Sequence, residues 1–338
     1  MAKIRNGQNG HRNIKKLIVT SGDPAGIGPE ISLKAGHAFL RRTSDAAIFI
    51  LSSAAYLRRF FPKEELDIVK KADIPDITKP GIYIVDFDNV DMAKFEFGRA
   101  TAANGRALGE YIEFAVKELL AKDADAMITA PINKEALNLA GYKFPGHTEM
   151  LAKLTGVDEP VMLMYGKKIS VALVTIHTAL KNVPQMISKE LIIRVGKKVN
   201  DFYMRFVKPP RIAVAALNPH ASENGLFGHE EQTVIRPAVD KLKDLGLDIT
   251  GPLPADTLFY QAYTGQFDVV IAQYHDQGLV PFKLVAFDNG VNVTVGLPII
   301  RTSPDHGTAY DIAGKNIAKE ESMLSAIEAA YTFALRDN

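Results

Sequence analysis

Three of the eight histidines, His177, His220 and His275, each follow a short run rich in valine, isoleucine and alanine. The runs Ser170–Ile176, Ile212–Leu217 and Val269–Gln273 read as buried strands. In open α/β sheets ligands collect beyond the carboxyl ends of strands, so three imidazoles at three such ends can converge. Three neutral imidazoles with open positions beside them make a catalytic site for zinc or a similar divalent cation. Their spacing matches no short metal motif, and the plain alternative is three unrelated polar residues at strand ends. The chain has no cysteine, which excludes disulfides, thiolate metal sites and cysteine nucleophiles. A transition-metal site here must use histidine and oxygen ligands.

Other segments offer anion-binding or polar chemistry. Gly146–Glu149 opens a helical run, where free N–H groups and the helix dipole suit a phosphate. His147 and Thr148 could add donors there; the plain alternative is an N-cap by Thr148. Lys283, Asn292 and Arg301 lie in the glycine-rich stretch after His275 and could hold a carboxylate or phosphate, although solvation is the default for a lone basic residue. Asp256 reads as a helix cap, with substrate contact or proton transfer as its functional alternative. The loop with His306, Gly307, Asp311 and Gly314 allows close backbone approach to a flat ligand such as adenine, and reads equally as a plain loop. Gly22–Glu30 fails the dinucleotide fingerprint, because Gly26 and Gly28 would need a glycine where Ile31 stands. It reads instead as a strand-to-helix turn with Pro29 in the first helical turn.

The elements that must position these residues alternate in type. Further strands are expected at Leu17–Thr20, Ala47–Leu51, Ile82–Val85, Ala126–Thr129 and Val161–Met164. Helices are expected at Ala107–Ala121, Ser188–Phe206, Glu230–Leu245 and Glu320–Leu335. Met150, Met162 and Met164 read as core. The alternation implies an α/β protein with a parallel sheet and right-handed crossovers. Residues 1–16 are expected to form a flexible tail. One α/β domain is expected over 17–128 plus 290–338, and a second over 129–289. The net charge of +1 offers no global field for nucleic acid or an anionic membrane. No apolar run is long enough to span a bilayer, and the polar, basic N-terminus lacks a signal-peptide core. These features fit a cytoplasmic protein.

In order along the chain stand Gly22–Glu30, Thr129–Lys134, Gly146–Glu149, Asn218–Ala221, Pro254–Thr257, Tyr274–Gly278 and Asp305–Ala309. Together they closely resemble the 4-hydroxythreonine-4-phosphate dehydrogenase family, from about Leu17 to the last helix. The resemblance implies an isocitrate/isopropylmalate dehydrogenase-like fold, two α/β domains with a cleft between them, rather than a standard Rossmann fold. It implies that His177, His220 and His275 ligate a divalent metal (Zn, Mg, Mn, Co or Ni) and come from two subunits of a homodimer. It implies substrate contacts from His147, Thr148, Lys283, Asn292 and Arg301, and an adenosine loop over His306–Lys315. NAD is the implied cofactor, with NADP possible. The partners implied are a small phosphorylated hydroxy acid and a second copy of the chain, with the second domain at the dimer interface.

Biosynthetic members of the family carry Asn-Pro-His-Ala-Gly-Glu-Gly-Gly at the second histidine. This chain has Ser222 and Asn224 in that run, and Ala286–Val291 also departs from the biosynthetic type. Both resemble the catabolic 4-phospho-D-threonate and 4-phospho-D-erythronate dehydrogenases. The implied reaction is oxidation of the C3 hydroxyl with loss of C1 as CO₂, giving dihydroxyacetone phosphate. Asp256, Lys283 or a metal-held water is the base. The alternative substrate is 4-phosphohydroxy-L-threonine of pyridoxal phosphate biosynthesis. A metal-dependent phosphate-ester hydrolase would use similar residues without a nicotinamide.

Overall fold

The computed structural model describes residues 14–206 and 209–337. Twelve strands form one sheet: β1 (Lys15–Thr20), β2 (Ala46–Ser52), β3 (Asp67–Val69), β4 (Gly81–Asp86), β5 (Ala126–Thr129), β6 (Val161–Tyr165), β7 (Val171–Leu173), β8 (Ile212–Ala215), β9 (Ile249–Leu253), β10 (Val269–Ala272), β11 (Val291–Val295) and β12 (Ile300–Pro304). Their order is β3-β4-β2-β1-β5-β12-β11-β6-β7-β10-β8-β9. All eight strands expected from the sequence are present, and the helices fall at Ala102–Leu120, Lys189–Phe206, Arg236–Asp244 and Glu321–Arg336. The Glu230–Leu245 run differs from its expectation, because a single π-helical turn, Glu231–Ile235, precedes the α-helix. The tail also ends sooner than expected: Lys15 and Lys16 already pair with Ala46 and Ala47 in the sheet. Residues 1–13 of that tail lie outside the described residues.

The sheet is mixed rather than parallel. β1, β5 and β12 run together. β11 then runs against both β12 and β6, and β6 against β7. Gly296, at φ +92°, turns the chain between β11 and β12. β7, β10 and β8 are again parallel among themselves. Three reversals separate the two parallel groups, so β7, β10 and β8 run opposite to β1, β5 and β12. The carboxyl ends of the two groups therefore lie at opposite ends of the strands.

One face of the sheet is a continuous apolar layer, with Leu17, Ile128, Val293, Leu163 and Val214 in a single cluster under helices Gly28–Leu40, Lys189–Phe206 and Glu321–Arg336. The other face is split. Phe49, Met127 and Leu151 belong to one cluster, and Met164, Val270 and Phe282 to a second. Between them the central strands present polar side chains, since Asn292 pairs with Ser303 on neighbouring β11 and β12 and side chains alternate along a strand. Two lobes thus share one sheet and part on one face, where the cleft lies.

Candidate functional site

Arg301 lies on the floor of that cleft and is 4% exposed. Within the glycine-rich stretch after His275, Arg301 lies on β12, Asn292 on β11, and Lys283 on the helix His275–Ala286. The Arg301 Nε and Nη2 donate to Thr129 Oγ1 at 3.1 and 2.7 Å, and Nη1 donates to Thr294 Oγ1 at 2.8 Å. Nη2 also approaches His147 Nδ1 at 3.4 Å. Among the described residues no carboxylate pairs with this guanidinium. Burial alone pushes its pKa down to about 10. The imidazole of His147 is held neutral, its pKa well below 6.5 through burial and then the charge of Arg301. With Nδ1 facing an arginine donor, the proton of that imidazole belongs on Nε2. Nε2 is shut off from solvent and has no partner. A buried cation and an unanswered donor side by side call for an anion.

Thr148 stands beside this pair but does not cap its helix. The N-cap of His147–Thr155 is Gly146, and no side chain caps it. Thr148 instead shares a cavity of about 510 Å³ with Met162 and Ile176, the residue before His177. Lys283 Nζ pairs with Asp305 Oδ2 at 2.9 Å, tying its helix to the loop that leaves β12. The cleft thus gathers His147, Asn292 and Arg301, with Lys283 at its end.

The histidines sit beyond β7, β10 and β8. Pairing of β7 with β10 continues past the regular strands, with Val174 N donating to Ala272 O and Thr175 N and Oγ1 donating to Gln273 O. His177 and His275 follow two residues later on each side, and their rings lie 5.8 Å apart. His275 Nδ1 meets Asp276 Oδ1 at 2.7 Å, which leaves Nε2 free as a ligand atom. Gln273 and Gln277 reach to the carbonyls of Ala215 and Ala216 at the end of β8. His220, however, does not join the pair. It begins a left-handed turn in which His220 to Asn224 all have φ between 46° and 66°, and its side chain is 65% exposed. Among the described residues no three histidine, aspartate or glutamate side chains of the chain stand together as a metal site. The donors present, two adjacent imidazoles and a third on an exposed turn, are of the kind a divalent cation takes.

Asp256 is exposed in the first turn of the helix Ala255–Tyr263, whose N-cap is Pro254, so the capping role expected for it is not what it does. It follows β9, six places from β12 in the sheet order, or about 29 Å at ~4.8 Å per strand. Within one chain it does not reach Arg301.

The loop after β12 rests on the glycine turn after β1. Ile27 N donates to Thr308 O at 3.0 Å, and a Cβ on Gly26 would lie 2.8 Å from that same oxygen. Tyr310 donates its hydroxyl proton to Asp23 Oδ2 in a short contact. Burial raises the Asp23 pKa, against the lowering by Tyr310 and the Ala25 N–H. The glycine turn opens the helix Gly28–Leu40 with Pro29 in its first turn, as its sequence indicates. Its glycines serve close backbone packing, with the Gly28 Cα against the Ser21 carbonyl. Gly314, at φ +76°, lies against the Phe97 ring, so a side chain there would clash. His306, Gly307 and Asp311 are exposed, and nothing stands within 4 Å of a Cβ placed on Gly307. That leaves an open surface for a flat ligand. Sequence reasoning missed Thr129, Thr294, Asp23 and Tyr310. Thr294 stands at an alternating polar position of Val291–Val295, the signal that could have found it, whereas Thr129 ends an otherwise apolar strand.

The family model of the pyridoxal phosphate biosynthetic protein PdxA matches residues 44–330. A 4-hydroxythreonine-4-phosphate dehydrogenase of Sulfurihydrogenibium sp. is 45% identical over 317 residues, covering 93% of this chain and 97% of its own. A D-threonate 4-phosphate dehydrogenase of Salmonella typhimurium is 42% identical, covering 95% and 99%. The crystal structure of a 4-hydroxythreonine-4-phosphate dehydrogenase from Klebsiella pneumoniae superposes with a TM-score of 0.88 at 41% identity, covering 95% of this chain and 98% of the other. Among the described residues no helix is long and apolar enough to cross a membrane.

Proposed function

The chain belongs to the PdxA family, and from that premise we propose that it is an NAD-linked, metal-dependent dehydrogenase of a small 4-phosphorylated hydroxy acid. The observation that supports this most directly is the buried Arg301 with no carboxylate, beside the unanswered Nε2–H of His147. In this reading the pair binds the anionic end of the substrate, and Thr129 and Thr294 fix the guanidinium plane. Asn292 offers a polar contact on the same face of the sheet, and Lys283 adds charge at the mouth. Burial of the floor excludes water, which strengthens each of these contacts.

His177 and His275, with His220 from a second copy, would hold the metal, and Asp276 fixes the His275 ring for it. A divalent cation there supplies Lewis-acid polarisation of a substrate oxygen. NAD, seated on the loop from His306 to Gly314, supplies the hydride acceptor, and NADP would be the finer alternative. The histidine end of the sheet and the cofactor loop lie at opposite ends of the strands in one chain. In this reading a second copy of the chain completes the site, and the placement of the two ends supports it. A metal-held water is one candidate base, Lys283 another only in its neutral form, and Asp256 could serve only from the partner copy.

The substrate we favour is 4-phospho-D-threonate or 4-phospho-D-erythronate. Its C3 hydroxyl loses a proton and its C3–H a hydride, and the 3-keto acid then releases C1 as CO₂ to leave dihydroxyacetone phosphate. Relatives named for threonate phosphate and for 4-hydroxythreonine phosphate are about equally similar, so identity does not choose. Ser222 and Asn224 in the His220 turn carry the preference. NADH formation with the two sugar-acid phosphates and 4-phosphohydroxy-L-threonine, side by side, tests it. Preference for the amino acid would overturn the substrate assignment. Phosphate release without NAD would overturn the dehydrogenase reading.

A further inference from the structure

We propose that Glu231, a fully buried carboxylate outside the site described so far, is the positioning residue for His220. This rests on the reading of His220 as a metal ligand. Glu231 is 0% exposed. Its Oε1 accepts from Leu217 N at 2.8 Å and Asn218 N at 2.7 Å, and its Oε2 accepts from Asn218 Nδ2 at 3.0 Å. Among the described residues no cation pairs with it; backbone and amide donors alone answer its charge. These donors stand immediately before Pro219 and His220, at the exit of β8.

The turn they introduce is a run of conformations that its residues disfavour. His220, Ala221, Ser222, Glu223 and Asn224 all lie in the left-handed region, at φ 52°, 52°, 66°, 46° and 60°. L-residues with a Cβ disfavour that region and enter it singly rather than in runs. Surrounding structure must impose such a run. At its far end Phe227 N donates to Ser222 O at 3.2 Å. At its near end the constraint is Glu231. Its carboxylate fixes the direction of the chain entering the turn, and through it the place from which the exposed His220 imidazole projects. Glu231 also opens the π-helical turn Glu231–Ile235, a local departure that re-aims side chains in helices. Glu230 completes the clamp, accepting from Asn218 Nδ2 at 2.7 Å.

The test is zinc affinity of the metal-free, full-length protein, measured by competition with a chromophoric chelator. Glu231→Gln exchanges one accepting oxygen for a donor facing Asn218. It should weaken zinc binding by about 10–100-fold, the usual effect of losing a group that orients a ligand. NADH binding without metal, followed by fluorescence, should not change. His220→Ala sets the reference, and Glu231→Gln added to it should cause no further loss of zinc affinity. An additive loss would show a general structural role and overturn the proposal. Unchanged zinc affinity in Glu231→Gln, with His220→Ala weakened, would overturn the proposal alone. Unchanged affinity in His220→Ala would overturn the metal-ligand reading beneath it. Should Glu231→Gln fail to fold, Asn218→Ala keeps both backbone donors and removes the side-chain link. It should weaken zinc in the same direction by less, and an unchanged affinity would overturn the proposal.

Discussion

Replacing Arg301 with methionine should separate stability from substrate binding, with opposite signs. The guanidinium is 4% exposed and answered only by two threonine hydroxyls and a neutral imidazole. Burial lowers its pKa to about 10, between two and three units below the usual guanidinium value. At about 1.4 kcal/mol per unit, the folded state carries a cost of about 3 kcal/mol for keeping it charged. The sign follows from linkage. Below pH 10 both folded and unfolded chains are protonated and the whole cost is present; it fades as the pH rises above 10 toward the unfolded guanidinium value. Methionine fills much of the same volume and removes the charge. It leaves the Thr129 and Thr294 hydroxyls short of a partner, a loss of about 1–2 kcal/mol. The empty variant should therefore match or exceed the wild type by about 1–2 kcal/mol in urea unfolding at neutral pH. Binding should move the other way. Loss of a buried cation from a bound anion costs about 2–5 kcal/mol, so KM should rise by at least about 30-fold. The kcat should change little if the contact is equally strong in ground and transition states. A variant several kcal/mol less stable, with KM unchanged, would show Arg301 to be a structural strut and refute the reasoning.

Other residues give narrower tests. The pKa of His147 lies well below 6.5 in the fold, through burial and then Arg301. The unfolded chain takes up a proton there as pH falls below about 6.5 and the folded chain does not, so stability falls with pH in that window. His147→Gln should flatten that loss in urea titrations from pH 7 to 5; an identical slope would contradict the buried neutral imidazole. Asp276→Asn should weaken zinc binding by about 10–100-fold in chelator competition, because Asp276 orients His275. Unaltered affinity would remove Asp276 from the site. Tyr310→Phe frees the loop after β12, proposed to seat the adenosine, from Asp23. It should raise KM for NAD by about 10-fold, the worth of one hydrogen bond to a charged group, while the substrate KM stays fixed. Equal shifts in both constants would argue against a separate cofactor loop.

Much of this protein is legible before folding. Buried runs such as Ile18–Thr20, Ala47–Leu51 and Val269–Ala272 announce strands because a parallel strand covered on both faces must be apolar throughout. The failed fingerprint at Ile31 already favours a strand-to-helix turn over a dinucleotide loop, and Pro29 does stand in the first turn of Gly28–Leu40. The segment Val291–Val295 alternates apolar and polar, a strand signal that was there to be read. Ile249–Leu253 contains glycine and proline, which weaken any strand reading and are tolerated because β9 is an edge.

Tertiary structure alone decided three things. Ile300–Pro304 has polar residues in a strand buried from end to end, and only the neighbouring Thr129, Thr294 and His147 make a buried Arg301 possible. The left-handed run from His220 is absent from any local preference of histidine, alanine or serine, and hydrogen bonds to Glu231 hold the chain at its entry. Sequence periodicity assigns a side chain to a face, and says nothing about which strand becomes a neighbour or in which direction it runs. The reversal at β11 and β6 settled that, and sent His177 and His275 to one end of the sheet and the loop after β12 to the other.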